Sequence, residues 1–110
     1  MEKEKVVVAN SALDYLHNLV YALYDKEYFG FLDAAEEYVN NIYDTIINDL
    51  PKLTHHKTPT ELTRHGKHYI TIKGSKRTTW YVIFNKKDNR FSVKLITNNH
   101  SPEAAYFNLR

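Results

Sequence analysis

The residues best suited to chemistry lie in the second half of the chain. His100 follows an alternating apolar segment and stands directly before Ser101-Pro102-Glu103. There an N-cap, a first-turn proline and an acid predict a helix start. A histidine at such a junction is both exposed and positioned. Lys67, His68, Lys73, Arg77 and Lys94 supply cations nearby in sequence. One reaction suits this set, RNA cleavage by transfer to the ribose 2′-hydroxyl. A base deprotonates the hydroxyl, cations hold the phosphate, an acid protonates the leaving oxygen, and no metal is needed. His100 equally suits a hydrogen-bonding or capping role within the bend Asn98-Asn99-His100-Ser101.

Residue types exclude several other chemistries. The chain has no cysteine, which removes disulfides, thiolate zinc and thiol nucleophiles. His55 and His56 are adjacent rather than four apart on a helix, and no acid is placed as a third ligand. No metal and no cofactor are therefore expected. Glycine occurs only at positions 30, 66 and 74, too sparsely for a phosphate-binding loop.

The net charge of +2 hides an asymmetry. Residues 1–50 carry three lysines and ten acids, whereas residues 51–110 carry twelve Lys/Arg, three acids and five of the six histidines. Such a division points to a face for an anionic partner, nucleic acid or an acidic protein. Acidic helices beside a basic sheet, each merely solvated, give the same count.

The 110 residues suit one domain, residues 1–110. No apolar run reaches the roughly 18–20 residues of a membrane span, so no membrane partner is expected. The stretch Val6-Val7-Val8-Ala9 is too short for a signal-peptide core. Together with the missing cysteines this predicts a cytoplasmic protein.

Periodicity supplies the elements that hold the candidates. Residues 6–9 are β-branched and read as a strand. Asn10 and Ser11 are N-cap types, and Leu13, Leu16, Val20 and Leu23 form a helical stripe, widened by Leu19 and Ala22. A turn over residues 25–30, with Gly30 available for a left-handed bend, leads to a second helix over 31–50. Its stripe is Ala35, Val39, Ile42, Ile46 and Leu50, with Phe31, Tyr38 and Tyr43 beside it, and Pro51 closes it. The two helices should form an antiparallel hairpin. Residues 51–66 show no period and read as a long loop.

The period then changes to two. Strands over 67–73, 78–85 and 90–98, with turns at 74–77 and 86–89, predict an antiparallel meander. The expected fold is α+β in the order β-α-α-β-β-β, with a short C-terminal helical turn. The helices need an apolar partner, and Ile70, Trp80, Val82, Phe91 and Val93 form the sheet face that offers one. The other face is expected to expose Lys67, Tyr69, Thr71, Lys73, Tyr81, Ile83, Lys94 and Ile96. With His68 and the turn residues Lys76 and Arg77, it mixes cations for phosphates with rings for unstacked bases.

The segment Thr79-Trp80-Tyr81-Val82-Ile83-Phe84, a charged turn, Phe91-Ser92-Val93-Lys94-Leu95-Ile96 and the terminal Asn98-Asn99-His100 resemble the RelE/ParE superfamily of toxins from bacterial type II toxin–antitoxin systems. Asp33-Ala34-Ala35-Glu36-Glu37-Tyr38-Val39 resembles the second-helix pattern of ParE-like chains. The resemblance covers residues 5–109 and implies a helix hairpin on an antiparallel sheet. Of the two activities it implies, the expected one is metal-independent mRNA cleavage at the ribosome, and the alternative is inhibition of DNA gyrase. It also implies a cognate antitoxin as partner, and it leaves a homodimer open. His100 matches the histidine that often ends the last strand, and Tyr106 corresponds to the C-terminal tyrosine of some RelE-like members. Tyr81 stands where many members have arginine, and Ser101-Pro102-Glu103 replaces the basic run that commonly follows the histidine. A third alternative is therefore a member kept as an interaction module.

Overall fold

The computed structural model describes residues 4–25, 31–74, 78–102 and 104–107. Residues 26–30 of the expected turn over 25–30, residues 75–77 of the turn over 74–77 (with Lys76 and Arg77) and Glu103 lie outside the described residues. The described elements run β1 (Lys5–Val8), α1 (Asn10–Asp25), α2 (Leu32–Asp49), β2 (His56–Lys57), β3 (His68–Lys73), β4 (Thr79–Lys87), β5 (Arg90–Asn98) and α3 (Ala104–Phe107). Short 3-10 turns occupy Leu50–Lys52 and Thr60–His65. The fold is α+β, a helix hairpin on a mostly antiparallel sheet.

The helices form where the apolar period predicts them, with shifts at their starts. The Ala9 carbonyl accepts hydrogen bonds from the amides of Ala12 and Leu13, so Asn10 and Ser11 fall inside the first turn rather than capping it. Ala12 and Leu16 face inward, while Leu13, expected in the core stripe, stays 38 % exposed. Phe31 precedes α2 in extended conformation and is 77 % exposed, so the α2 stripe buries Ala35, Val39, Ile42 and Ile46 without it.

The sheet order is β1-β5-β4-β3-β2. The pairs β3–β4 and β4–β5 are antiparallel, as the meander requires, and β1 adds to β5 in parallel at one edge. Helices α1 and α2 lie between β1 and the meander in sequence, and their length allows this parallel return. At the other edge the segment expected to be a structureless loop supplies β2, which pairs His56 with Tyr69 and Lys57 with His68.

The main core lies between the helices and one sheet face. Leu16, Val39, Ile42, Ile46 and Leu50 meet Ile70, Trp80, Val82, Phe84, Phe91, Val93 and Ile96. Each large aliphatic or aromatic side chain buried there contributes about 1.5–3 kcal/mol. Trp80 donates from Nε1 to the Tyr38 hydroxyl at 3.0 Å, which satisfies its buried polar atom.

Two expectations about the sheet are corrected. Ile83 pairs with Leu95, yet Phe84 pairs with Val93, so Lys94 is an extra residue at a β-bulge. The bulge reverses the alternation beyond it. Ile96, expected on the exposed face, joins the main core, and Leu95 turns to the opposite face. That opposite face, expected to be open, is covered by the chain's own segments. Ile83 is 0 % exposed and packs with Leu62 of the Thr60–His65 turn and Phe107 of α3, while Tyr69, Tyr81 and Leu95 border them.

Candidate functional site

Three strands meet at the end of the sheet that carries His100. Lys73 at the end of β3 pairs with Thr79 at the start of β4. The amide of Thr79 donates to Asn99 Oδ1 at 2.9 Å, and the amide of Asn99 donates to the Thr79 carbonyl at 3.1 Å. β5 then turns. Asn98 Oδ1 accepts from the His100 amide at 2.8 Å, an Asx-type bend of the kind asparagine forms with its own backbone. Ser101 Oγ donates to the Asn98 carbonyl at 2.7 Å and shares a hydrogen bond with Thr97 Oγ1. His100 is thereby held at the rim with its ring exposed, and Nε2 lies 3.3 Å from Thr78 Oγ1. Thr78 was not singled out by sequence. Its signal is position alone, directly before a strand whose start pairs with the His100 bend.

The other candidates do not converge on this imidazole. Lys94 is exposed at the bulge, four residues before Asn98, hence about 13 Å away along the strand at ~3.3 Å per residue. Tyr106 is exposed on α3, which is seated by Ala104 and Phe107. Lys73 shares the His100 end of the sheet, whereas His68 begins the same strand about 17 Å away. Lys67 lies beside His68, and its amide donates to Asn85 Oδ1 at 3.0 Å.

The two tyrosines expected to offer stacking platforms are engaged within the molecule. Tyr81 stacks on Phe107 with centroids 4.1 Å apart, and Tyr69 meets Phe107 edge-on at 4.8 Å. Both rings remain half-buried, not open to splayed bases. Burial raises the pKa of the Tyr81 hydroxyl above its ordinary value, and the neighbouring Tyr69 adds to the rise. Tyr81 therefore stays protonated near neutral pH and can donate but not act as a base.

A groove lies at the opposite end of β3. Lys57, Thr58, Thr63, Lys67 and His68 line an open groove of about 570 Å³. Among the described residues no group of three or more His, Asp or Glu side chains is arranged to hold a metal ion, and no helix is long and apolar enough to cross a membrane. Comparison of the chain with family models, curated proteins and solved structures finds no match.

Proposed function

We propose that this chain is a toxin-like protein of the RelE/ParE kind, from a bacterial type II toxin–antitoxin system, that acts in the cytoplasm by binding a protein target. DNA gyrase is the target class the resemblance implies, and a cognate antitoxin is the expected regulator. One observation supports binding over cleavage. The sheet face expected to receive RNA is filled by Leu62, Ile83 and Phe107, and Lys94 sits about 13 Å along the strand from the His100 bend. General acid–base catalysis requires its groups within hydrogen-bond reach of one reacting centre.

A metal-independent mRNA endoribonuclease is the second reading, favoured by the exposed His100 ring beside Thr78 and Lys73 at the same sheet end. Induced expression in a bacterial host, with gyrase supercoiling and primer extension on translated mRNA measured in parallel, separates the two. Growth arrest with slowed supercoiling and intact mRNA is expected. Codon-specific mRNA cleavage that disappears in His100→Ala would transfer the assignment to the ribonuclease. Absence of any growth arrest would reduce the chain to an interaction module.

A further inference from the structure

The two sides of the molecule carry opposite charge. Helices α1 and α2 together hold seven acids and no lysine or arginine. On α2, Asp33, Glu37 and Asp44 lie opposite the buried stripe of Ala35, Val39, Ile42 and Ile46. On α1, exposed Tyr21 points away from buried Ala12 and Leu16, and Asp14 and Asp25 share its face at helical spacing. Tyr24 stands exposed beside it. The helix side is thus acidic and aromatic, with no cation of its own chain on it.

The sheet face turned away from the helices carries the opposite sign at one end. Phe91 is buried in the main core, so Arg90 before it points to that other face. Arg90 pairs with Lys87 of β4 and with Lys5 of β1, and cross-strand partners share a face. Their neighbours turn the other way, Lys86 over the Phe91 ring at 5.3 Å and Val6 against the core. All three cations are exposed. They form a row about 10 Å long, at ~4.8 Å between strands. Like charges directly opposite one another weaken a sheet, so such a row favours a counter-charge. The nearest acids in sequence, Glu4 and Asp88, make no ion pair with it among the described residues.

Acidic helices and cation row lie on opposite sides of the sheet, so one molecule cannot bring them together. A second copy can. We infer that copies of this chain associate head to tail, the Lys5–Arg90–Lys87 row of one against the acidic, aromatic helix side of the next. Glu37 and Asp44 lie about 10.5 Å apart along α2 at ~1.5 Å per residue, a match in length to the row. Tyr21 and Tyr24 add ring faces that attract ammonium and guanidinium groups. The contact is heterologous and leaves one free row and one free acidic side, so it extends rather than closes. It does not rest on the toxin-like reading.

Sedimentation velocity of the full chain tests this over a concentration series at about 20 mM and about 500 mM salt. Species larger than the monomer should grow with concentration in low salt and dissociate in high salt. A triple reversal of the row (Lys5→Glu, Lys87→Glu, Arg90→Glu) should weaken self-association about tenfold or more. A triple reversal of the helix side (Asp33→Lys, Glu37→Lys, Asp44→Lys) should do the same, and Tyr21→Ser with Tyr24→Ser should weaken it severalfold. Mixed together, the two reversed chains should form a one-to-one complex and nothing larger, because one row and one acidic side remain. That complex also shows both variants to be folded. Lys52→Glu with Lys57→Glu, remote from the row and from the acidic helix faces, should leave association unchanged. A parent chain that stays monomeric in low salt overturns the proposal, as does a mixture of reversed chains that does not associate. A dimer indifferent to salt and to both reversals replaces it with a symmetric apolar contact. These readouts are independent of whether expression arrests growth.

Discussion

The ring of Tyr81 lies flat against that of Phe107, with planes 5° apart and centroids separated by 4.1 Å. This pair joins α3 to the middle strand and seals the sheet face that would otherwise be open. Phe107→Ala should release α3 and cost about 3–5 kcal/mol, since it removes a buried ring and leaves Ile83 facing water. Urea unfolding checks the loss. A midpoint equal to that of the parent chain would show that α3 contributes no sealing energy.

The Tyr81 hydroxyl carries a pH signature. Its folded-state pKa lies above the ordinary 10.0, first through burial and then through Tyr69. Below that value both states are protonated and the contribution is full. Above it the unfolded chain ionises first, so stability falls as pH rises through the folded-state pKa. Denaturant titrations at alkaline pH should show a steeper decline for the parent chain than for Tyr81→Phe. Parallel declines would argue that Tyr81 is solvated.

Gly66 occupies backbone geometry that L side chains rarely adopt, at φ +151°. A Cβ there would lie 2.6 Å from the Phe84 carbonyl oxygen and 2.7 Å from its carbon. Both contacts are with backbone, which cannot rotate away. Gly66→Ala should therefore destabilise the protein by roughly 2–4 kcal/mol. The midpoint of thermal unfolding is the readout.

Trp80 is the single tryptophan, and its fluorescence reports the core directly. Tyr38→Phe deletes the acceptor of its 3.0 Å bond and leaves a buried indole N–H unpaired. A cost of about 1–3 kcal/mol is expected, with a shift in the emission maximum of the folded state. Unchanged emission and stability would mean that the N–H finds another acceptor.

Thr58→Val removes a hydroxyl that has no protein partner among the described residues. Valine matches its shape, so the desolvation penalty is relieved at no packing loss. Stability should rise by about 1 kcal/mol. Calorimetric unfolding measures it, and a clear loss would show that the hydroxyl is paired in solution.

Local pattern in the sequence was enough to define both helices, the three long strands and the C-terminal turn. Stripes at helical spacing and strict alternation are recorded in consecutive residues, and each element carries its own. Ile70, Trp80, Val82, Phe91 and Val93 could be assigned to the helix-covered face for that reason, and His100 to a bend after the last strand.

Three features belong to the tertiary structure alone. The bulge at Lys94 inserts one residue without any change in composition, so the phase of Leu95 and Ile96 depends on what β4 offers across the ladder. Leu62 is an isolated apolar residue in an aperiodic segment, Phe107 lies in a helical turn too short to show a stripe, and their partner Ile83 lies more than twenty residues from each. The groove at Thr58 likewise needs β2 to meet β3. Contacts between segments remote in the chain leave no periodic trace, and here they decide which sheet surface is sealed and which groups stay exposed.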